Sequence, residues 1–157
     1  MADLLVKLYS LPESGGVCAA LKEKGVEIKR AIGPEKSAVV GWVLANFSKA
    51  WASEADVAFS QNPPGLFIAV KDGGILGFAC YDATAKGFFG PIGVAETART
   101  GGLGTGLLLR TLEAMREAGY GYAIVGWAGP VDFFEKTVGA VVIAGSEPGV
   151  YKNMVKG

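Results

Sequence analysis

Histidine is absent from all 157 residues. Without it there is no Ser-His or Cys-His nucleophile pair, no histidine-ligated metal, and no side chain that ordinarily titrates near neutrality. Chemistry in this chain falls to carboxylates, tyrosines, backbone amides or a cofactor. Cysteine is scarce: Cys18 and Cys80 stand alone, without metal-ligand spacing, as suits a reducing cytoplasm. Net charge is missing as well. Fifteen basic and fifteen acidic residues cancel, and no basic stripe points to nucleic acid. The richest apolar window, Ala38 to Phe47, is too short to span a bilayer. The segment MADLLVKLYS carries Asp3 early, lacks a basic leading stretch and is broken by Lys7, so it does not read as a signal peptide. The expectation is a cytoplasmic protein with no metal, no membrane and no nucleic-acid partner.

What is present is apolar and periodic. Half of the residues are hydrophobic, enough for one domain with a real core at this length. Leu4 to Leu11 alternates as a strand, and a short helix follows, ending near Lys24-Gly25. Val26 to Ala31 reads as a second strand. Gly33-Pro34 opens a helix whose apolar face is Val39, Val40, Val43 and Phe47. Ser53-Glu54-Ala55-Asp56 fits a capping box, which predicts that another helix starts there. Asn62-Pro63-Pro64-Gly65 is a firm break. Beyond it, Leu66 to Lys71, the turn Asp72-Gly73-Gly74, and Ile75 to Tyr81 form a β-hairpin. Its strands are apolar on both faces, so the sheet is expected to be covered on two sides. Phe88 to Val94 is a further strand, Gly102 to Ala118 a helix, Tyr120 to Trp127 a strand, Val131 to Thr137 a short helix and Ala140 to Ala144 a last strand.

The stretch RTGGLGTGLL, Arg99 to Leu108, places four glycines in six residues between a strand and a helix. Glycine disfavours a helix by about 1 kcal/mol relative to alanine. A helix N-terminus, however, presents unpaired N–H groups and the positive end of the macrodipole, and glycine lets an anion approach them closely. The dinucleotide pattern would need a third glycine where Leu107 stands, and a Walker loop would need lysine there. The pattern that fits is R-x-x-G-x-G, as Arg99, Gly102 and Gly104.

On this motif, and on FFEKTVGAVV from Phe133, the sequence resembles the GNAT superfamily of acyl-CoA-dependent N-acyltransferases over roughly Val26 to Tyr151. The resemblance implies an α/β (α+β) fold: a mixed, largely antiparallel sheet with helices on both faces and two splayed parallel strands, here those ending at Val94 and Trp127. It implies one domain over residues 1–157, with a strand-helix extension at 1–25 and a core at 26–151. It further implies acetyl-CoA as co-substrate, held by Ile92, Gly93, Val94, Arg99, Thr100, Gly101, Gly102, Leu103, Gly104 and Thr105, with a primary amine as acceptor. Thr100 departs from the glycine frequent at that place.

The family's tyrosine acid aligns with Phe134, which cannot donate a proton. Either Tyr151 or Tyr122 serves, or no acid is needed. Glu54 is the first candidate base and Asp56 the second, although acidic residues in a first helical turn also complement the helix dipole. Trp51 and Trp127 are candidates for shaping an acceptor pocket. Two rivals accompany this reading: a non-catalytic acyl-CoA-binding module, and a nucleotide-binding oxidoreductase domain, which the glycine spacing disfavours.

Overall fold

A computed structural model describes residues 1–99 and 101–157. Among the described residues seven strands form one sheet: β1 (Leu4–Lys7), β2 (Glu27–Arg30), β3 (Leu66–Lys71), β4 (Gly74–Tyr81), β5 (Phe88–Val94), β6 (Tyr122–Val125) and β7 (Val141–Val142). Five α-helices connect them: α1 (Gly15–Glu23), α2 (Lys36–Asn46), α3 (Lys49–Phe59), α4 (Leu103–Glu117) and α5 (Val131–Val138). The strand order is β2-β3-β4-β5-β6-β1-β7. Every pairing is antiparallel except β5 with β6. The mixed, largely antiparallel sheet expected from the resemblance is therefore present. Among the described residues no helix is long and apolar enough to cross a membrane.

Alternation along the central strands divides the core in two. Leu66 and Ile68 of β3, with Phe78 and Cys80 of β4, pack under Val39 and Val43 of α2 and Ala52, Ala55 and Ala58 of α3. Phe67, Ala69, Ala79 and Tyr81 point the other way, against Leu107, Leu108, Leu112 and Met115 of α4. A period of two thus feeds both faces of one sheet, which is why these strands carry so few polar residues.

Three boundaries differ from the sequence expectation. The strand from Leu4 ends at Lys7 and passes into a 3-10 turn at Leu8–Ser10. The last strand shrinks to Val141–Val142, both half exposed at the sheet edge. The second long helix begins at Lys49 rather than near Ser53. Ser48 is its N-cap, its hydroxyl accepting the Trp51 N–H at 3.1 Å, so Glu54 and Asp56 lie within the helix and not in its first turn. Starting there lets Ala52, Ala55 and Ala58 face the sheet on one stripe, a burial the local capping pattern does not encode.

The parallel pair β5–β6 is short. Phe88 faces Ile124 and Phe89 faces Val125, and the ladder stops there. The next two residues of β5 are Gly90 and Pro91. Against β4, the register runs from Ala79–Ile92 to Tyr81–Phe89, so β5 carries one extra residue at this point. A bulge bends the strand that holds it, and proline has no N–H to give to a neighbour. Gly90-Pro91 therefore turns β5 away from β6 and opens the sheet where the two strands would otherwise have continued. The N-terminal strand β1 lies inside the sheet, between β6 and β7.

Candidate functional site

At the open end of β5 the chain makes a short turn, Glu96–Ala98, passes Arg99, and reaches α4. Gly101 and Gly102 both have φ of +83°, the left-handed region that glycine adopts without strain. Gly102 is also held by packing, since a Cβ there would stand 2.9 Å from Val17 Cγ2. Gly106 lies against Ile28 and Leu21, where α4 meets β2 and α1. Gly104 differs from all three. A Cβ at Gly104 would meet only Phe133 at 3.8 Å and Val94 at 3.9 Å, ordinary contact distances. Neither backbone conformation nor internal packing requires glycine there.

Gly104 sits in the first turn of α4, where N–H groups have no intrahelical acceptor. Leu103 is 3% exposed, so its side chain belongs to the core and only its amide can serve a ligand. Thr105 follows on the same turn, and Thr100 lies outside the described residues. Arg99, exposed, donates from Nε to the Val94 carbonyl at 3.4 Å. With Asn46, Phe47, Val94, Ala95 and Glu96 it lines a pocket of about 290 Å³. A cation the sequence reading missed stands beside this loop: Lys24 Nζ lies 3.1 Å from where a Gly101 Cβ would be. The turn after α1 brings it there, and a contact between residues so far apart leaves no local sequence signal.

Ile92, Gly93 and Val94 pair with Ala79, Phe78 and Gly77 of β4, while their β6-facing edge has no ladder partner among the described residues. Gly93 has its own packing reason to be glycine, because a Cβ there would come within 2.5 Å of the Phe47 ring. Phe47 belongs to an aromatic cluster with Trp42, Trp51 and Phe78.

The second half of the site gathers around Glu54. Thr84, in the loop between β4 and β5, donates its hydroxyl to Glu54 Oε1. Asp82 pins that loop, accepting the Gly87 N–H at 2.7 Å and the Tyr120 hydroxyl at 2.9 Å. Burial raises the Glu54 carboxyl above its ordinary value, and the Thr84 hydrogen bond offsets part of the rise. Tyr151, from the turn Gly149–Tyr151, reaches the same place. Its hydroxyl fills the space that a Gly126 side chain would take, directly after β6. Burial first, then the Glu54 and Asp3 charges, push its phenol up to about 12. The Tyr151 ring stacks on Trp127, with centroids 4.4 Å apart and planes 20° apart. Trp127 has a φ of +47°, uncommon for a bulky residue, and its N–H is held at 3.0 Å by Oδ1 of buried Asp3.

Glu54 and Tyr151, nearly one hundred residues apart in the chain, thus share one site with Thr84 between them. The other candidates are placed elsewhere. Asp56 is exposed and paired with Lys36 at 2.8 Å, on the outer side of α3. Tyr122 opens β6 at the end opposite Trp127, and its hydroxyl meets Tyr9 at 3.4 Å on the surface. At about 3.3 Å per residue, the strand itself puts Tyr122 about 10 Å from the opened end. Trp51 is committed to the aromatic cluster. Phe134, 2% exposed, packs edge-on against Phe89. Thr84 and Gly126 carried no motif; the only hint for either was position next to a strand end.

The family model described as the acetyltransferase (GNAT) family matches residues 36–139. The fold is similar to a glucosamine N-acetyltransferase region of a fungal multi-domain GH3 β-N-acetylglucosaminidase, with TM-score 0.73 and 15% identity over 90% of this chain and 19% of that one. It is similar to a GCN5-related N-acetyltransferase from Sphaerobacter thermophilus, with TM-score 0.67 and 18% identity over 90% of this chain and 48% of that one. A GCN5-related N-acetyltransferase from Kribbella flavida gives TM-score 0.57 and 18% identity over 90% and 53%. The chain spans between about a fifth and about half the length of these proteins. No curated relative matches the sequence. With a glycine-led helix beside a splayed pair of parallel strands, and a family match covering about two-thirds of its residues, the chain belongs to the GNAT acetyltransferase family.

Proposed function

We propose that this protein transfers an acetyl group from acetyl-CoA to a primary amine. The observation that carries the proposal is Gly104: a glycine that neither φ nor packing demands, on the first turn of a helix, following a loop that begins at Arg99 and that Lys24 approaches at Gly101. Such a position fits a phosphate-bearing ligand that must touch the backbone. The amides of Leu103, Gly104 and Thr105, with the Arg99 and Lys24 charges, would hold the pyrophosphate. The edge from Ile92 to Val94 that β6 does not pair would take the pantetheine arm, alongside the Arg99 contact to the Val94 carbonyl. Bound there, acetyl-CoA supplies an activated thioester.

Glu54 is the base in this reading. It removes a proton from the incoming ammonium, whose ordinary pKa is about 10.4, and the nitrogen then forms its bond to the acetyl carbon. The carbon–sulfur bond breaks, sulfur keeps the electron pair, and the nitrogen gives up its second proton to water, from which the thiolate can be reprotonated. A thiol of pKa about 8.5 leaves readily as thiolate. Tyr151, with its phenol near 12, would protonate that thiolate against an equilibrium of roughly three orders of magnitude. It therefore acts as a neutral wall and hydrogen-bonding group, and Tyr151→Phe keeps most of the turnover. The likeness to a glucosamine N-acetyltransferase region is one of fold, so the amines to be tried span small molecules and peptides.

Calorimetric titration with acetyl-CoA, followed by thiol release across a panel of primary amines, tests the reading. Binding without any thiol release would favour a non-catalytic acyl-CoA-binding module, which the absence of a hydroxyl at Phe134 also suits. No heat and no thermal stabilisation would end the proposal. Arg99→Ala is expected to weaken binding by about 1–3 kcal/mol, as for a lost charge-assisted hydrogen bond.

A further inference from the structure

The group that holds the candidate base is not itself acidic or basic. Among the described residues Glu54 forms no ion pair, and its hydrogen-bond partner is the Thr84 hydroxyl. Glu54 comes from α3, over the sheet, whereas Thr84 comes from the loop joining β4 to β5, the strand that bends away at Gly90-Pro91. That loop is fixed at both ends. Asp82, at φ +56°, accepts the Gly87 N–H and the Tyr120 hydroxyl, so the position of Thr84 depends on a clamp outside the site. Tyr151 bounds the opposite side, its hydroxyl set against Gly126 at the end of β6.

We infer that Thr84 is a positioning residue: held by the Asp82 clamp, its hydroxyl fixes the Glu54 carboxylate at the opened end of β5 and β6, facing the place where an acceptor amine would enter. The inference rests on the proposed role of Glu54 as base. It adds that the base is oriented from the β4–β5 loop rather than from its own helix. A threonine hydroxyl suits this task. It has one proton, which it gives to the carboxylate, and its methyl group restricts the rotamer that delivers it.

The charged and titratable groups around Glu54 define the pH behaviour. Cys80 of β4 lies beneath it, neutral because burial pushes its thiol well up. Tyr151 faces it across the gap, neutral below about 12. From α2, Lys36 is turned to the outer side of α3, where it pairs with Asp56. No cation thus competes with Thr84 for the carboxylate among the described residues. Thr84 stabilises the charged form, so losing its hydroxyl raises the Glu54 pKa further, and the base becomes active only at higher pH.

Two readouts on the intact protein test this. In protein labelled with ¹³C at glutamate side-chain carboxyls, with Glu54→Gln assigning the resonance, Thr84→Val should titrate Glu54 at higher pH than wild type. Thr84→Ser should return it toward the wild-type position. With an amine that the panel shows to be turned over, the acid limb of kcat/KM should move in the same direction by the same amount, with acetyl-CoA affinity unchanged. Thr84→Ser should restore at least half of the activity that Thr84→Val loses. An unmoved Glu54 resonance in folded Thr84→Val protein would overturn the positioning contact. A moved resonance with an unmoved pH profile would overturn the role of Glu54 as base, and the inference with it.

Discussion

Glycine and glutamate mark the two halves of the proposed site, and each does so by violating a local preference. Gly104 spends helix propensity without any internal gain, which separates it from Gly102 and Gly106. Gly104→Ala should therefore fold normally and gain up to about 1 kcal/mol of stability in urea unfolding, while binding acetyl-CoA more weakly. Gly104→Asp should fold too, yet lose binding altogether, since it adds bulk and negative charge where the pyrophosphate would lie. If Gly104→Ala bound acetyl-CoA as tightly as wild type, close backbone approach would not be the function of that glycine. Glu54 violates a different rule, for its carboxylate is half-buried without a cation partner among the described residues. A carboxyl raised above 4.5 by burial contributes its stability below that ordinary value, and that contribution is lost as pH rises through the folded-state value. Glu54→Gln should accordingly melt higher than wild type at pH 7 and indistinguishably at pH 3. Its turnover should fall by about two to four orders of magnitude. A variant destabilised at pH 7 would show that the charge is compensated by something other than Thr84.

Among the elements, those governed by local chemistry could be read from sequence and those governed by distant packing could not. The β3–β4 hairpin announces itself through Asp72-Gly73-Gly74, and α4 through leucines at helical spacing after a glycine turn, because turn residues and periodicity are short-range signals. Helix α3 misleads for the same reason. Ser53-Glu54-Ala55-Asp56 has the look of a cap, but the Ala52, Ala55 and Ala58 stripe can be buried only if the helix has already begun. The true cap, Ser48, is followed by Trp51 where a capping box would have an acid. Ser48→Ala should cost about 1 kcal/mol in equilibrium unfolding, as for a lost N-cap, whereas Ser53→Ala should stay within about 0.5 kcal/mol. The reverse order would restore the start at Ser53. The opening between β5 and β6 is implied by the resemblance, but its cause has no short-range signature. Gly90-Pro91 stood in plain view within FFGPIGV, and a bulge is visible only once the partner register is known. The candidate site divides in the same way: the proposed phosphate loop is a contiguous motif that a sequence displays, whereas Thr84 and Lys24 reach their places through tertiary contacts alone.

At the scale of the whole molecule, the N-terminal residues hold together parts that sequence order keeps far apart. Strand β1 bridges β6 and β7, with Leu4 and Val6 fully buried. Just before it, the Asp3 N–H donates to the Ser146 hydroxyl, and Asp3 Oδ1 accepts the Trp127 N–H. Asp3 thus ties together the N-terminus, the end of β6 and the approach to the Gly149–Tyr151 turn. The proposed acceptor-side wall, Trp127 stacked on Tyr151, hangs on that tie, while the glycine loop at α4 is fixed separately by Val17 and its own left-handed turn. The two halves should therefore respond independently to Asp3→Ala. Losing a hydrogen bond to a buried carboxylate should cost about 1.5–3 kcal/mol of stability. Releasing Trp127 from its positive φ should change its fluorescence and raise KM for the acceptor amine several-fold. The Kd for acetyl-CoA, measured by calorimetry on the folded variant, should stay within about twofold, because none of Arg99, Gly102 or Gly104 touches the tie. An equal loss in acetyl-CoA affinity would mean that the end of β6 helps to form the cofactor cleft, and that the acceptor wall and the phosphate loop act as one rigid unit.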